Sequence, residues 1–399
     1  MRKVRNITLA LVLILGMTVM TGCTTFDNFK EAFFSKKGAA SDTVRIGVLE
    51  PQTGNDSDKG QMEIDGIQLA NGIAGRVLGK KVELVYADTQ SSIYVAESAV
   101  VDLTDKKPVI VLGSYGEAVS LVASQKLGKV KIPAIAITAT NPLITKNNEY
   151  YFRVSFTDAS QGKALADYVF EKLGQAKAGI IKMKDEDTTR ELVRQFTSQM
   201  EELTKDETCI AASVEIDPKA KDYKAYLEKI KDSGAKAIFM PVSLKTADRV
   251  FAEAQKVGLD DVMFIGPKDW HNDDLIELQN KYKGIKIAVA SNFMSSSAEE
   301  TADEDILYNQ FIKAYKAKFG ESEPPEETVL GFDAYMIGIQ AIEKAGSIDG
   351  YLVKEALKST SDFKGASGEI SFDDTGEPTK PINVDIIQDG KFVSVYTAK

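Results

Sequence analysis

VIVLGSYGEAV (Val109–Val119), a helix-like run over Ser120–Leu127, and PAIAITATNP (Pro133–Pro142) decide the fold. Two short apolar runs, Val109–Leu112 and Ala134–Ile137, each pass into a turn of small or polar residues, Gly113–Gly116 and Thr138–Asn141. Apolar runs of that length alternating with helical segments suit the buried parallel strands of an α/β sheet. Loops leaving the C-terminal ends of such strands form the ligand crevice of open α/β folds. The two turns therefore lie side by side as one ledge, rich in hydroxyls and backbone N–H groups, and form half of a small-molecule site.

Outward from this stretch the rhythm repeats. VRIGVLE from Val44, a helix over Gly60–Ala74, VELVYAD and a helix from Ile93 precede it. After Tyr151–Ser155 come a helix over Ala159–Leu173, AGIIKM, a helix over Thr188–Leu203, CIAASVEI, a helix over Tyr223–Lys231 and AIFMPV. The helix Lys245–Val257 aligns Ala247, Phe251 and Ala254 on one face and stops at Gly258. VMFIGP, a short helix near Asp273–Leu278 and IKIAVA complete a second α/β unit of similar size. Helices then dominate to Ser359, and VDIIQDGKFVSVY reads as a hairpin with Asp389-Gly390 at its tip. A length of 399 residues suits two lobes better than one core. The boundaries expected are 44–157 plus 286–367 for the first lobe and 158–285 plus 368–399 for the second.

The net charge of −10 argues against nucleic acid, whose phosphates need clustered Lys and Arg. His271 is the only histidine, which removes His-based metal clusters and most catalytic triads. Gly75–Lys80 has the wrong spacing for a phosphate loop and lacks its Ser/Thr, and no G-x-G-x-x-G follows the first strand. No enzymatic constellation is legible, and no cofactor or metal is expected. Two lobes with facing strand ends make a clamp that closes about a hinge.

At the amino terminus, basic MRKVRN, apolar ITLALVLILGMTVM and Met20-Thr21-Gly22-Cys23 follow one another. The order resembles a bacterial lipoprotein signal with its lipobox. That resemblance implies cleavage of residues 1–22, lipid on Cys23, a tether over 23–43 and an extracytoplasmic, membrane-anchored protein. The alternative is an uncleaved anchor helix with an incidental cysteine. Cys209, in an apolar run, is expected as a buried, inert thiol.

The ordered series VRIGVLEPQTG, VLGSYGEAVSL, AITATNPLIT, YFRVSFTDASQG, IFMPVSLKTADRVFAEAQKVGL and FIGPKDWHNDDL resembles type I periplasmic binding proteins. Phe363–Asp373 likewise matches the F-x-G-x-x-G-x-I-x-F-D ending of the leucine/isoleucine/valine-binding group. The resemblance implies two Rossmann-like lobes joined by a multi-strand hinge, a small ligand held between them, and an ABC permease in the membrane as partner of a monomer. A sensor reporting to a membrane receptor would use the same clamp.

Carried over residue by residue, the family's site is altered. Thr138, Ala139 and Thr140 fall where a backbone carbonyl and a threonine hydroxyl hold the α-amino and carboxylate groups of an amino acid. The preceding loop, which offers serines to the carboxylate, here has Gly116 and Glu117. Aromatic positions are taken by Asp187 or Thr188 and by Ser243. The acid that receives the α-ammonium falls on Lys268, with Asp269 beside it, and Lys59 takes the place of a tyrosine. Either Asp269 assumes the acid's role or the ligand is a different charged metabolite, because a buried unpaired charge costs several kcal/mol. Lys59 and Lys268 point either into the cleft or to solvent at its rim. Glu117 either faces the ligand or complements a helix dipole. Trp270 either walls the cleft or packs between helices, and His271 is a loop or cap residue. Tyr115, between small residues at a strand exit, is expected to stack on the ligand.

Overall fold

The computed structural model describes residues 42–185, 189–259, 261–293 and 306–398. The signal-like segment, Cys23, most of the tether and Asp187 lie outside the described residues. Among the described residues no helix is long and apolar enough to cross a membrane.

The first sheet comprises β1 (Thr43–Glu50), β2 (Arg76–Val77), β3 (Lys80–Asp88), β4 (Ile110–Gly113), β5 (Ala134–Ala136) and β6 (Tyr151–Arg153). Their spatial order is β2-β3-β1-β4-β5-β6, and β1, β4, β5 and β6 pair in parallel. Val48, Ile110, Leu112 and Ile135 are wholly buried, as strands covered on both faces require. The phosphate-loop caricature Gly75–Lys80 is the turn of the β2–β3 ribbon.

Helix α1 (Ser57–Ile73) covers this sheet; α2 (Ile93–Asp105) and α3 (Glu117–Val130) follow their strands. The chain leaves β6 for α4 (Asp158–Asp167), which opens the second lobe. Its sheet is built from β7 (Ala178–Met183), β8 (Ile210–Ile216), β9 (Ala237–Phe239), β10 (Met263–Gly266) and β11 (Lys286–Ser291). The intervening helices are α5 (Arg190–Thr204), α6 (Lys224–Asp232), α7 (Leu244–Val257) and α8 (Asp273–Lys281). Cys209 is buried in this lobe's core, as expected.

Helices α9 (Leu307–Phe319), α10 (Glu326–Ala345) and α11 (Gly350–Lys358) return to the first lobe. Helix α10 approaches α1 so closely that a Cβ on Gly331 would collide with the Glu63 carbonyl. That approach sets Glu63 into the lobe's interior. A small sheet of β12 (Phe363–Gly365), β13 (Gly368–Phe372) and β14 (Pro378–Thr379) puts Phe363, Ile370 and Phe372 into the same core. Strands β15 (Ile382–Gln388) and β16 (Lys391–Ala398), joined at Asp389-Gly390, complete the order β16-β15-β11-β10-β9-β7-β8.

Two lobe boundaries differ from the sequence expectation. Residues 286–291, expected in the first lobe, form β11, paired with β10 and β15. Residues 368–379, expected in the second, belong to the small sheet on the first core. Hydropathy marks a strand but not which sheet receives it, since both interiors are equally apolar.

The chain therefore passes between lobes after β6, after β11 and between β14 and β15. Buried polar contacts bind these crossings together. Asn292 donates from Nδ2 to Ser155 Oγ (3.1 Å) and accepts from the Phe156 N–H (3.1 Å). Lys380 Nζ donates to Ser367 Oγ (2.9 Å) and to the Val154 carbonyl (3.3 Å), and burial pushes its pKa down to about 8.

Candidate functional site

In the first sheet the strand order reverses direction between β1 and β4, and in the second between β7 and β9. Crevices form where successive crossovers run to opposite sides of a parallel sheet. Between these two switch points lies a cavity of about 380 Å³. Glu117, Thr140 and Asn141 line it from the first lobe. Asp158 and Gln161 from α4, Pro241–Leu244 after β9, and Pro267–Trp270 after β10 line it from the second.

Five residues expected at the site therefore meet here: Glu117, Thr140, Ser243, Lys268 and Asp269. Glu117 opens α3, where its charge meets the helix N-terminus. Gly116 precedes it at φ +93, a backbone region closed to side chains. Glu117 also accepts from the Thr140 N–H (2.8 Å), the Thr140 hydroxyl (3.1 Å) and the Asn141 N–H (3.0 Å). Glu117 thus stands at the helix start and also lines the cavity.

Ser243 caps α7 by accepting from the Thr246 N–H at 3.3 Å. Lys268 donates its N–H to Gln161 Oε1 (2.8 Å), and its Nζ lies 3.2 Å from Asp269 Oδ1. The Lys268 side chain is only 13% exposed. Burial opposes its charge, but Asp269, Glu326, the Tyr115 phenol and Glu327 outweigh burial and hold its pKa above the ordinary lysine range.

The remaining expected residues are placed otherwise. Lys59 does not line the cavity; it lines a separate hollow with Glu326 and Glu327 and pairs with Glu327 at 2.6 Å. Thr138 is buried and donates its hydroxyl to Glu63. The Ala139 carbonyl accepts from Arg153 Nη1 at 3.0 Å, so the expected partner of a ligand amine is already engaged. Tyr115 is half-buried beside the cavity without lining it, and its N–H donates to Glu50 at 2.8 Å. Burial pushes the phenol's pKa up. Trp270 is wholly buried, its Nε1 donating to the Val242 carbonyl at 2.7 Å and its ring edge-on to Phe251, yet it also backs the cavity. His271 stacks on Phe392 and bonds Asp385 at 2.9 Å.

Four residues escaped the sequence reading. Asp158, in the first turn of α4, brings a carboxyl beside the Thr140 hydroxyl; burial raises its pKa to about 6, and Glu117 adds to the rise. The signal for it was available in Thr157-Asp158, where Thr157 caps α4 at a crossing of the hinge. Arg153 is wholly buried behind the ledge, donating to the carbonyls of Ala139 and Asn141 (2.7 Å for Asn141) and paired with Glu377 at 2.8 Å. Glu50 and Glu63 form a buried acid pair beneath it. One oxygen of each accepts a donor, from Tyr115 and Thr138, while Glu50 Oε1 and Glu63 Oε2 have none. One shared proton satisfies both orphaned oxygens. Burial, then the neighbouring acid, raises Glu50, and burial holds Glu63 at about 7.

Along this wall Glu117 and the Thr140 hydroxyl are bonded to one another at 3.1 Å. Comparison with known proteins shows the family. A family model described as periplasmic binding protein matches residues 43–391. The chain is 25% identical over 348 residues to "Leu/Ile/Val-binding protein homolog 1" of Brucella abortus, covering 86% of this chain and 90% of that one. It is similar to the solved leucine-binding protein LivK of Thermotoga maritima, with 27% identity, a TM-score of 0.75 and coverage of 89% and 98%. It is also similar to the branched-chain amino acid transporter substrate-binding protein LivJ of Streptococcus pneumoniae, solved in complex with isoleucine. There the identity is 27% and the TM-score 0.72, with coverage of 88% and 99%. With nearly the whole folded chain matched, two lobes and a crevice at both switch points, this chain belongs to the periplasmic binding protein family.

Proposed function

We propose that this protein is the extracytoplasmic substrate-binding component of an ABC importer, capturing an amino acid or a related polar metabolite between its lobes. The observation that carries the reading is the 380 Å³ cavity, a volume suited to such a ligand, lined by strand-exit loops of both sheets. The named functions of the relatives, amino-acid binding and transport, support it. The hinge's three crossings favour closure as a rigid-body motion, which excludes water and strengthens every polar contact to the ligand. The closed monomer then docks on the permease. Lipid on Cys23 and a tether over 23–43 would hold it at the membrane. Membrane association that survives Cys23→Ser would overturn the anchor.

A thermal-shift screen of the full-length protein in mild detergent, against amino acids and small amines and acids, tests the capture reading. A ligand at a hundred times its Kd adds about 2.7 kcal/mol to stability, an easily measured rise in Tm. No shift with any member of the panel would count against capture in this cleft.

A further inference from the structure

We infer that Glu117 is a built-in carboxylate that occupies the ledge's anion-binding donors, so that the cleft selects a small primary amine over a ligand presenting a carboxylate there. This rests on the capture reading above and names the ligand class.

The geometry begins with three donors on one short loop. The N–H groups of Thr140 and Asn141 and the Thr140 hydroxyl converge on one carboxylate, at 2.8, 3.0 and 3.1 Å. Such a set is an anion site, and here the chain supplies the anion itself. The loop cannot turn to offer its donors elsewhere, because Arg153 grips the carbonyls of Ala139 and Asn141 from behind. An incoming carboxylate would therefore be stripped of water without gaining these donors.

The rest of the cavity points the same way. Its lining carries the carboxyls of Glu117, Asp158 and Asp269 against the single ammonium of Lys268. That ammonium is already paired with Asp269 at 3.2 Å and faces Glu326 and Glu327 on α10. Asp158, half-buried and next to Glu117, shares the Thr140 hydroxyl and has no ion-pair partner within 4 Å among the described residues, so its carboxyl keeps acceptor capacity for a cation. An amine entering between Glu117 and Asp158 meets acceptors and favourable charge.

Isothermal titration of the full-length protein with a matched pair of probes tests this. L-Leucine and isoamylamine share their ammonium and their branched chain and differ by the carboxylate. The wild type is expected to bind isoamylamine at least tenfold more tightly than leucine. Glu117→Ser empties the three donors and is expected to gain at least tenfold for leucine and to lose affinity for isoamylamine. Glu117→Gln, which keeps the shape and acceptor oxygen but not the charge, should weaken isoamylamine without gaining leucine. It serves as the check if the serine variant fails to fold. Leucine binding by the wild type that equals or exceeds isoamylamine binding, with no gain in the serine variant, overturns the inference and leaves capture intact. Silence of all three chains toward both probes and of the wild type in the thermal-shift screen overturns both.

Discussion

On the first-lobe wall of the cleft, the ledge is held by residues 14, 23 and 75 positions away: Arg153 on Ala139, Glu117 on Thr140, and Glu63 on Thr138. On the second-lobe wall the helix cap and the ion pair are local, although the Lys268 N–H reaches Gln161 Oε1, 107 residues away. Ser243 caps its own helix three residues on, and Lys268 pairs with its neighbour Asp269. The first wall is a connected polar network, buried at Arg153, Thr138 and Glu63 and reaching solvent at Glu117, and such networks favour a single geometry. The second is a set of helix starts resting on the aromatic core around Trp270 and Phe251. The first wall therefore couples recognition to the stability of its lobe, whereas the second can be altered residue by residue.

The sharpest way to break this contrast is at Arg153. Arg153→Met leaves the half-buried Glu377 without its partner and frees two carbonyls of the ledge, and should cost about 3–5 kcal/mol in urea unfolding. A loss below about 1 kcal/mol would show that the first wall is no more integrated than the second.

Next in size is the acid pair. Burial raises Glu63 from 4.5 to about 7 and raises its partner Glu50 as well, so the folded pair holds a proton where free glutamates have lost theirs. Between those values the folded chain binds more protons than the unfolded one, so stability falls as pH rises through that window. Glu63→Gln, neutral throughout, should flatten the fall between pH 5 and 8, read from urea midpoints. An unchanged slope would place the proton elsewhere.

Asp158 sharpens the comparison from the ligand's side. Its carboxyl ionises at about pH 6, so affinity for isoamylamine should rise as pH passes through 6, and Asp158→Asn should lose the rise and about tenfold in affinity at pH 7.5. Calorimetry at pH 5 and 7.5 measures both. The smallest effect is expected on the second wall: Ser243→Ala removes a helix cap worth about 1 kcal/mol and should leave the first wall's pH response untouched.

The readings that held depended on local pattern. The apolar runs at Val109–Leu112 and Ala134–Ile137, the Gly258 stop and the Asp389-Gly390 hairpin all appear as expected, because strand burial, helix termination and tight turns are decided within a few residues. Thr140 was legible because strand-exit loops are crevice loops, whereas Glu117, Ser243, Lys268 and Asp269 were reached through the resemblance to the family. Lys59 and Thr138 were not legible, since their partners Glu327 and Glu63 lie 268 and 75 residues away in the chain.

The sequence by itself determined the α/β class, the two lobes, the ordered motifs of the family and the ledge's place at the strand exits. Only the tertiary structure decided which polar groups on that ledge remain open to a ligand. Hydrogen-bond capacity is shared out among whatever groups the fold brings within about 3 Å. Burial then fixes each pairing, because an unpaired group costs more than a changed partner. Glu117, a residue of ordinary helix-start chemistry in the sequence, thus becomes in the fold the carboxylate that fills its own binding site.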